Sequence, residues 1–464
     1  MSITSLKGWL NLTPSVTVLP VTVLQEHTLG SSALSPKTWP FDLAWLPSSA
    51  CLVGGSVRDA LLERHSDYLD LDFVLPEGAV ETARAIARHY KAGFVLLDTE
   101  RQIARVVFKQ GTADFAQQVG DTLEEDLRRR DFTINAIAYN PHTLELLDPL
   151  HGCRDLEQGL LRMIAPENLA EDPLRLLRAY RQAAQLGFQV DGETQKVIRQ
   201  LAPNLARIAA ERVQSELNYL LSSRRGTPRL QGAWEDRLLQ AWFPDATVTG
   251  LVQVAAIDQT LRRLKEEWPE FYGVLQQRIR TSGSGKAIEK EPEASGSTRT
   301  WVTTAKLASL LPPDLTAAEA QLWKLKYSRA EIQAVMTVLR YLPELQADSN
   351  VQQWSLAQQY FFFQGVGAVF PAIALTAIAV GIPLNGMAAM VDRFLDPKDP
   401  VAHPQPLLTG QDLMTALKIP PSPRIGKLLA ALQLARAEGK ITTREEGIQL
   451  AHQLLNDRDL ADWW

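Results

Sequence analysis

The chain has 464 residues, 45% of them hydrophobic and 22% charged, with a formal net charge of −5, a balance that fits an ordinary soluble protein of about three domains. Its two cysteines, Cys51 and Cys153, exclude a disulfide framework and lack metal-ligand spacing, which suits reduced thiols in a cytoplasmic protein. None of the 7 histidines falls in a paired motif, which argues against a His-ligated metal, and the acidic balance does not by itself announce a nucleic-acid partner, although binding follows local fields.

Residues 1–48 are rich in Ser, Thr, Pro and β-branched types without a basic-then-apolar secretory pattern, and read as a partly extended leader. Residues 49–165 mix short strands (51–53, 71–75, 94–97, 103–108) with helical stretches such as 79–90. From 166 to 225 the pattern turns helical, with 171–186 and 209–221 carrying apolar residues at helical spacing and Pro173 suited to a first turn. Between Glu171 and Arg229 ten basic residues face six acidic ones, so this stretch is locally positive inside an acidic protein. A helical body follows over 226–280. Residues 281–300, small and charged, read as a disordered linker. The helical remainder, 301–464, includes the nearly apolar stretch 360–384, which is interrupted by Gln364, Pro371 and Pro383 and lacks a basic flank, and so reads as a buried core helix pair instead of a membrane span.

The chemistry concentrates near the start of the mixed region. On a strand, residues i and i+2 share a face, so a strand over 68–75 points Asp70 and Asp72 one way and Leu69, Leu71 and Phe73 the other. Adjacent carboxylates repel unless a hard cation lies between them, and Mg²⁺ typically takes one or two carboxylates plus substrate phosphates. Just upstream, in Val53-Gly-Gly-Ser-Val-Arg-Asp59, Gly54 and Gly55 let backbone approach a bulky anion, and Ser56 opens a helix whose N-terminus favours phosphate. This combination points to a nucleoside triphosphate held on metal ions.

Five further blocks follow in order: Thr112-Ala-Asp-Phe-Ala116, Leu127-Arg-Arg-Arg-Asp-Phe-Thr-Ile-Asn135, Leu147-Asp-Pro-Leu-His-Gly-Cys-Arg-Asp155, Glu171-Asp-Pro-Leu-Arg-Leu-Leu-Arg-Ala-Tyr-Arg181 and Glu211-Arg-Val-Gln-Ser-Glu-Leu217. With this ordered set the chain resembles the class II tRNA nucleotidyltransferases of the CCA-adding and poly(A) polymerase family. The resemblance implies an α+β fold: a polymerase-β-like nucleotidyltransferase head, then an all-helical neck, body and tail. It implies transfer of a nucleoside monophosphate from CTP, with ATP as the second candidate, to the 3′-hydroxyl of tRNA, with pyrophosphate released and no template. Neither a membrane nor an obligatory protein partner is indicated. Two Mg²⁺ ions are expected on Asp70 and Asp72, with Asp114 as a third carboxylate near the attacking hydroxyl. Gly55 and Arg58 match triphosphate contacts, with Asp59 orienting the arginine or capping local structure. Arg129, Arg130 and Asp131 match the block beside the nucleotide sugar and phosphates, with Asn135 as a helper. Asp148 and Asp155 read as structural caps and salt-bridge partners.

Asp172 and Arg175, expected three apart on one helix, would read the base: a carboxylate accepts from the exocyclic amine of cytosine or adenine, and a guanidinium donates to the adjacent ring acceptor. Arg178 and Arg181 continue the spacing towards phosphate or primer. In the tail, Lys418, Arg424, Lys427 and Arg436 are candidate RNA contacts.

One spacing departs from the family pattern. Asp114 and Arg130 are sixteen positions apart, which leaves no room for the flexible loop of members that finish with adenosine, and so resembles the CC-adding subgroup. A complete CCA-adding or A-adding enzyme, a poly(A) polymerase, and an inactive RNA-binding protein of the same fold stay open as alternatives.

Overall fold

A computed structural model describes residues 18–20, 32–64, 68–279, 299–347 and 351–456, so most of the expected 281–300 linker and much of the leader lie outside the described residues. The chain divides into two compact units, one ending at Pro244 and the other beginning at Asp245.

The first unit is built on an eight-stranded sheet: β1 (Val18–Pro20), β2 (Cys51–Val53), β3 (Leu69–Leu75), β4 (Gly93–Asp98), β5 (Ile103–Phe108), β6 (Gly111–Gln117), β7 (Ala138–Asn140) and β8 (Glu145–Leu147), in spatial order β1-β8-β7-β2-β3-β6-β5-β4. Only the β3–β6 neighbours run parallel; every other pair is antiparallel. Helix α1 (Gly55–Leu61) follows β2 directly, and α2 (Ala79–Tyr90) packs on β5 and β6.

Alternation in β3 sorts the two faces. Leu71, Phe73 and Leu75 are fully or almost fully buried, and Phe73 stacks on Phe115 with centroids 5.3 Å apart. Trp39 and Phe41 close this cluster edge-on, so the end of the 1–48 segment fills the head's core. On the opposite face the strand begins polar, at Asp70 and Asp72, and then closes: Val74 packs with Cys51, Val53, Leu127, Ala136 and Ala138. The acidic pair therefore sits at the rim of a hydrophobic cluster.

Beyond the sheet come α3 (Leu123–Arg128), α4 (Gly152–Gln158), α5 (Pro166–Glu171), α6 (Leu174–Leu186), α7 (Gly192–Leu201) and α8 (Ala210–Ser222). Asp148 accepts from the Gly152 and Cys153 N–H groups at 2.7 and 2.9 Å, capping α4, while Asp155 accepts from Thr133 and Arg162, as their expected structural parts require.

The second unit is helical. Phe370–Ala379 is its central helix, buried along its length against Val248–Glu267, Trp301–Ser309 and Arg329–Ala347. Leu356–Ala379 is apolar and long enough to cross a membrane by composition, yet it is interrupted at Gly367 and mostly buried in the protein, so the core-helix expectation holds. The last three described helices, Gly410–Leu417, Pro423–Ala437 and Arg444–Asn456, share a core of Leu408, Leu413, Ile425, Leu428, Leu432 and Ala451.

Candidate active site

Strand register brings the three expected carboxylates together. Asp72 lies opposite Asp114 and Asp70 opposite Thr112 across the parallel β3–β6 pair. The Thr112 hydroxyl donates to Asp70 Oδ1 at 2.6 Å. Asp70 is exposed and Asp72 half-buried. Burial first, and then the negative charges of Asp70 and Asp114, push the Asp72 carboxyl up to about 7, against the pull of Arg130 and Arg105. Among the described residues no group of three or more His, Cys, Asp or Glu side chains is gathered as a ready metal cage. The Asp70–Asp72 pair nonetheless fits divalent cations: two same-face carboxylates, one solvent-facing and one strained by its neighbours' charge, are hard oxygen donors in need of positive charge.

Asp114 carries a partner that the motif reading missed. Arg105 Nε donates to its Oδ1 at 2.7 Å and the terminal nitrogen to Oδ2 at 2.8 Å. The short β5–β6 turn after Phe108 was the available signal, because it sets Arg105 opposite Asp114.

On the other side of Asp72, the chain turns from β2 into α1 through Gly54, whose φ of +76° favours glycine. A Cβ there would stand 3.2 Å from Asp72 Oδ2 and 3.5 Å from an Arg130 terminal nitrogen, so Gly54, Asp72 and Arg130 converge on one point. Ser56 is buried and its hydroxyl donates to the Val53 carbonyl, so that side chain serves the turn. Arg58 forks onto Asp59 at 3.0 and 2.9 Å and donates to Asn135 Oδ1 at 2.8 Å, so these two groups hold its guanidinium. Asn135 in turn donates to Asp131 Oδ1 at 2.9 Å and to Gln182 of α6 at 3.0 Å. Asp131 lies 3.2 Å from Arg178 Nε. Burial raises the Asp131 carboxyl, but Arg178, Asn135 and the Phe132 N–H outweigh it and hold the group below its ordinary value. A continuous polar chain thus runs Asp59–Arg58–Asn135–Asp131–Arg178, joining the glycine turn to α6.

Arg130 keeps Asp126 at 3.4 Å and has a buried Nε without a hydrogen-bond partner. Arg129 is part-exposed, with Glu171 at 3.9 Å. Asn168 on α5 donates to the Arg128 and Arg130 carbonyls, both at 2.7 Å, and so fixes this arginine turn.

The base-reading pair requires a correction. Asp172 and Arg175 do not share a helix: α5 ends at Glu171, α6 starts at Leu174, and Asp172 lies extended between them with φ −127° and ψ 92°. Pro173 supplies no N–H and disfavours helix at the residue before it, which opens the break. Asp172 accepts from the Leu174 N–H at 3.2 Å and from Arg212 at 2.8 and 3.3 Å. Arg175 donates to the Arg129 and Asn168 carbonyls at 3.1 and 2.9 Å. The Arg175 side chain therefore lies beside the arginine turn, while Asp172 is held by Arg212 of α8. Arg181 points elsewhere: it pairs with Glu216 and lies over the Tyr219 ring, inside the α6–α8 packing. In the second unit, Lys418, Arg424 and Lys427 are exposed, whereas Arg436 donates to the Gln405 carbonyl.

A sheet presenting same-face carboxylates beside a glycine turn and anchored arginines defines a nucleotidyltransferase head. Residues 50–162 match the family described as Poly A polymerase head domain, 187–248 the probable RNA and SrmB-binding site of polymerase A, and 294–451 the putative tRNA nucleotidyltransferase domain 2. The chain is 47% identical over 418 residues, 89% of its length and 96% of the relative's, to the CC-adding tRNA nucleotidyltransferase of Synechocystis sp.. It is 31% identical to the A-adding tRNA nucleotidyltransferase of Deinococcus radiodurans, across 86% of this chain and 94% of that one. The Thermotoga maritima CCA-adding enzyme complexed with tRNA shares its fold, with a TM-score of 0.68 at 20% identity over 95% of this chain and all of the other. The chain belongs to the tRNA nucleotidyltransferase and poly(A) polymerase family.

Proposed function

We propose that this enzyme adds two CMP residues from CTP to the 3′-hydroxyl of tRNA, releasing pyrophosphate each time, without a nucleic-acid template and without adding the final adenosine. The observation that carries the CC-only reading is the connection between Asp114 and Arg130. It is short and pinned at each step: Val119 N–H on Asp126, Asp121 N–H on Glu125 at 2.7 Å, and a reciprocal Thr122–Glu125 cap starting α3. A segment fixed this way cannot swing the base-reading side chains between two nucleotide geometries. The 47% likeness to a relative named CC-adding supports the same reading against 31% to one named A-adding.

In the reaction, the 3′-hydroxyl gives up its proton to solvent and its oxygen forms a bond to the α-phosphorus while the bond to the β-phosphate oxygen breaks and pyrophosphate leaves with the electron pair. Arg58, pre-oriented by Asp59 and Asn135, and Arg130 with its free Nε serve the triphosphate, with Gly54 and Gly55 allowing close backbone approach. Arg129, Asp131 and Asn135 border the sugar. Asp172 and Arg175 select the base, the first accepting from the cytosine amine and the second donating to the ring acceptors. Arg178 holds Asp131 ionised and links α6 to the arginine turn. Asp70 and Asp72 would hold the two Mg²⁺ ions, which when bound would activate the attacking hydroxyl and neutralise the leaving phosphates. The exposed Lys418, Arg424 and Lys427 would meet tRNA phosphates, and the reaction belongs in the cytoplasm.

The test gives the purified protein tRNA lacking its last three nucleotides together with CTP and ATP, and sequences the product ends. Products ending in two cytidines are expected. A complete CCA end, or extension by adenosine alone, would overturn the assignment.

A further inference from the structure

The sheet face that carries the carboxylates continues past them. Asp72 lies opposite Asp114, Asp114 opposite Arg105, and Arg105 opposite Val95, making one row across β3, β6, β5 and β4. A second row runs Asp70, Thr112, Val107, Gly93. Residues directly opposite on adjacent strands share a face. The reverse face is identified independently: Ala104 and Val106 are fully buried there, and Phe94 lies under the guanidinium of Arg84 from α2. Val95 and Val107, on the carboxylate side, are 45% and 39% exposed. A spacing of about 4.8 Å per strand puts Val95 roughly 14 Å from Asp72, a distance that a few nucleotides span.

In-line displacement places the attacking and leaving oxygens on opposite sides of the phosphorus. Gly54, Arg58 and Arg130 occupy the β2 side of Asp72, which assigns the leaving pyrophosphate there. The attacking 3′-hydroxyl must then come from the β6–β5–β4 side. We propose that the exposed strip of β5 and β4 bearing Val107 and Val95 seats the terminal nucleotides of the RNA acceptor, with sugars and base edges packed on the two valines and Arg105, held on Asp114, beside the backbone phosphate. This rests on the tRNA reading above and adds to it where the growing end lies. A strand at the sheet's open edge, with apolar side chains beside a charged row, suits a mixed apolar and anionic ligand such as single-stranded RNA.

The experiment compares two double variants, Val95→Glu with Val107→Glu and Val95→Lys with Val107→Lys, against Leu144→Asp, a control at a 52% exposed leucine in the β7–β8 turn. The glutamate pair should raise KM for tRNA about tenfold or more through phosphate repulsion, with KM for CTP unchanged. The lysine pair should stay near the wild type, and so should the control. An unchanged tRNA KM in the glutamate pair, equal losses in both pairs, or a dimer that the glutamate pair splits would overturn the proposal. A readout independent of turnover places benzoylphenylalanine at position 107: crosslinking to the last tRNA nucleotide supports the seat, and crosslinking only to the stem contradicts it. If wild-type protein transfers no CMP, the functional reading fails, and crosslinking still decides this one.

Discussion

At the scale of single residues, the site is a set of charges held apart and aimed by their neighbours. Asp72 is the clearest case. Its folded-state value near 7 stands above the ordinary 3.8, so the folded protein binds the proton more tightly than the unfolded chain, and this contribution to stability fades as pH rises through 7. Metal-free Asp72→Asn protein at pH 8 should therefore melt a few degrees higher than the wild type, about 2–4 °C for each kcal/mol relieved, while losing transfer. A lower melting temperature in calorimetry would contradict the charge strain. Arg212 provides a second test. It holds Asp172 by two hydrogen bonds, so Arg212→Gln should raise KM for CTP by about tenfold, within the range of one to three kcal/mol expected for a base contact, and leave tRNA affinity unchanged. Equal loss of both would make it a structural residue. Asp70 and Asp72 were readable in the sequence because their spacing on a strand fixes a shared face, and Arg58 and Asp59 because they stand in the ordered motif set. Arg105 and Arg212 were not, because their partners, Asp114 and Asp172, are brought to them by strand pairing and helix packing.

At the scale of elements, periodicity located most of the fold: Ala79–Tyr90 and Ile103–Phe108 fall where the pattern sets them, and Ala210–Ser222 differs by one residue at each end. The three-residue strands β7 and β8 carry too little alternation to be seen, and exist because β2 offers β7 an edge and β7 in turn pairs with β8. The break at Asp172 shows local backbone chemistry overriding side-chain spacing, since apolar residues continue at helical intervals through a point where proline interrupts the chain. Two elements invite measurement. Phe73→Ala removes a ring from the Trp39–Phe41–Phe115 cluster and should cost about 3–5 kcal/mol, unfolding the head in denaturant titration well before the wild type. Thr122→Ala removes one half of the α3 cap and should cost about 1 kcal/mol. If that variant began to add adenosine, the pinned connection would be confirmed as the restraint on nucleotide choice.

At the scale of the whole molecule, the acidic pair and its arginines lie in the first unit, and the exposed basic residues Lys418, Arg424 and Lys427, proposed above to meet tRNA phosphates, lie in the second. Reversing these three to glutamate should weaken tRNA binding by about tenfold at low salt, with a shallower salt dependence, and leave KM for CTP alone. The central claim, that one strand's acidic pair performs the transfer, is tested most directly by single-turnover CMP incorporation with Asp70→Ala, measured beside tRNA affinity in the same preparation. The expected result is loss of incorporation to background with tRNA affinity within about threefold of the wild type, a difference under 1 kcal/mol. Retained incorporation, or a matching collapse of tRNA affinity, would contradict it.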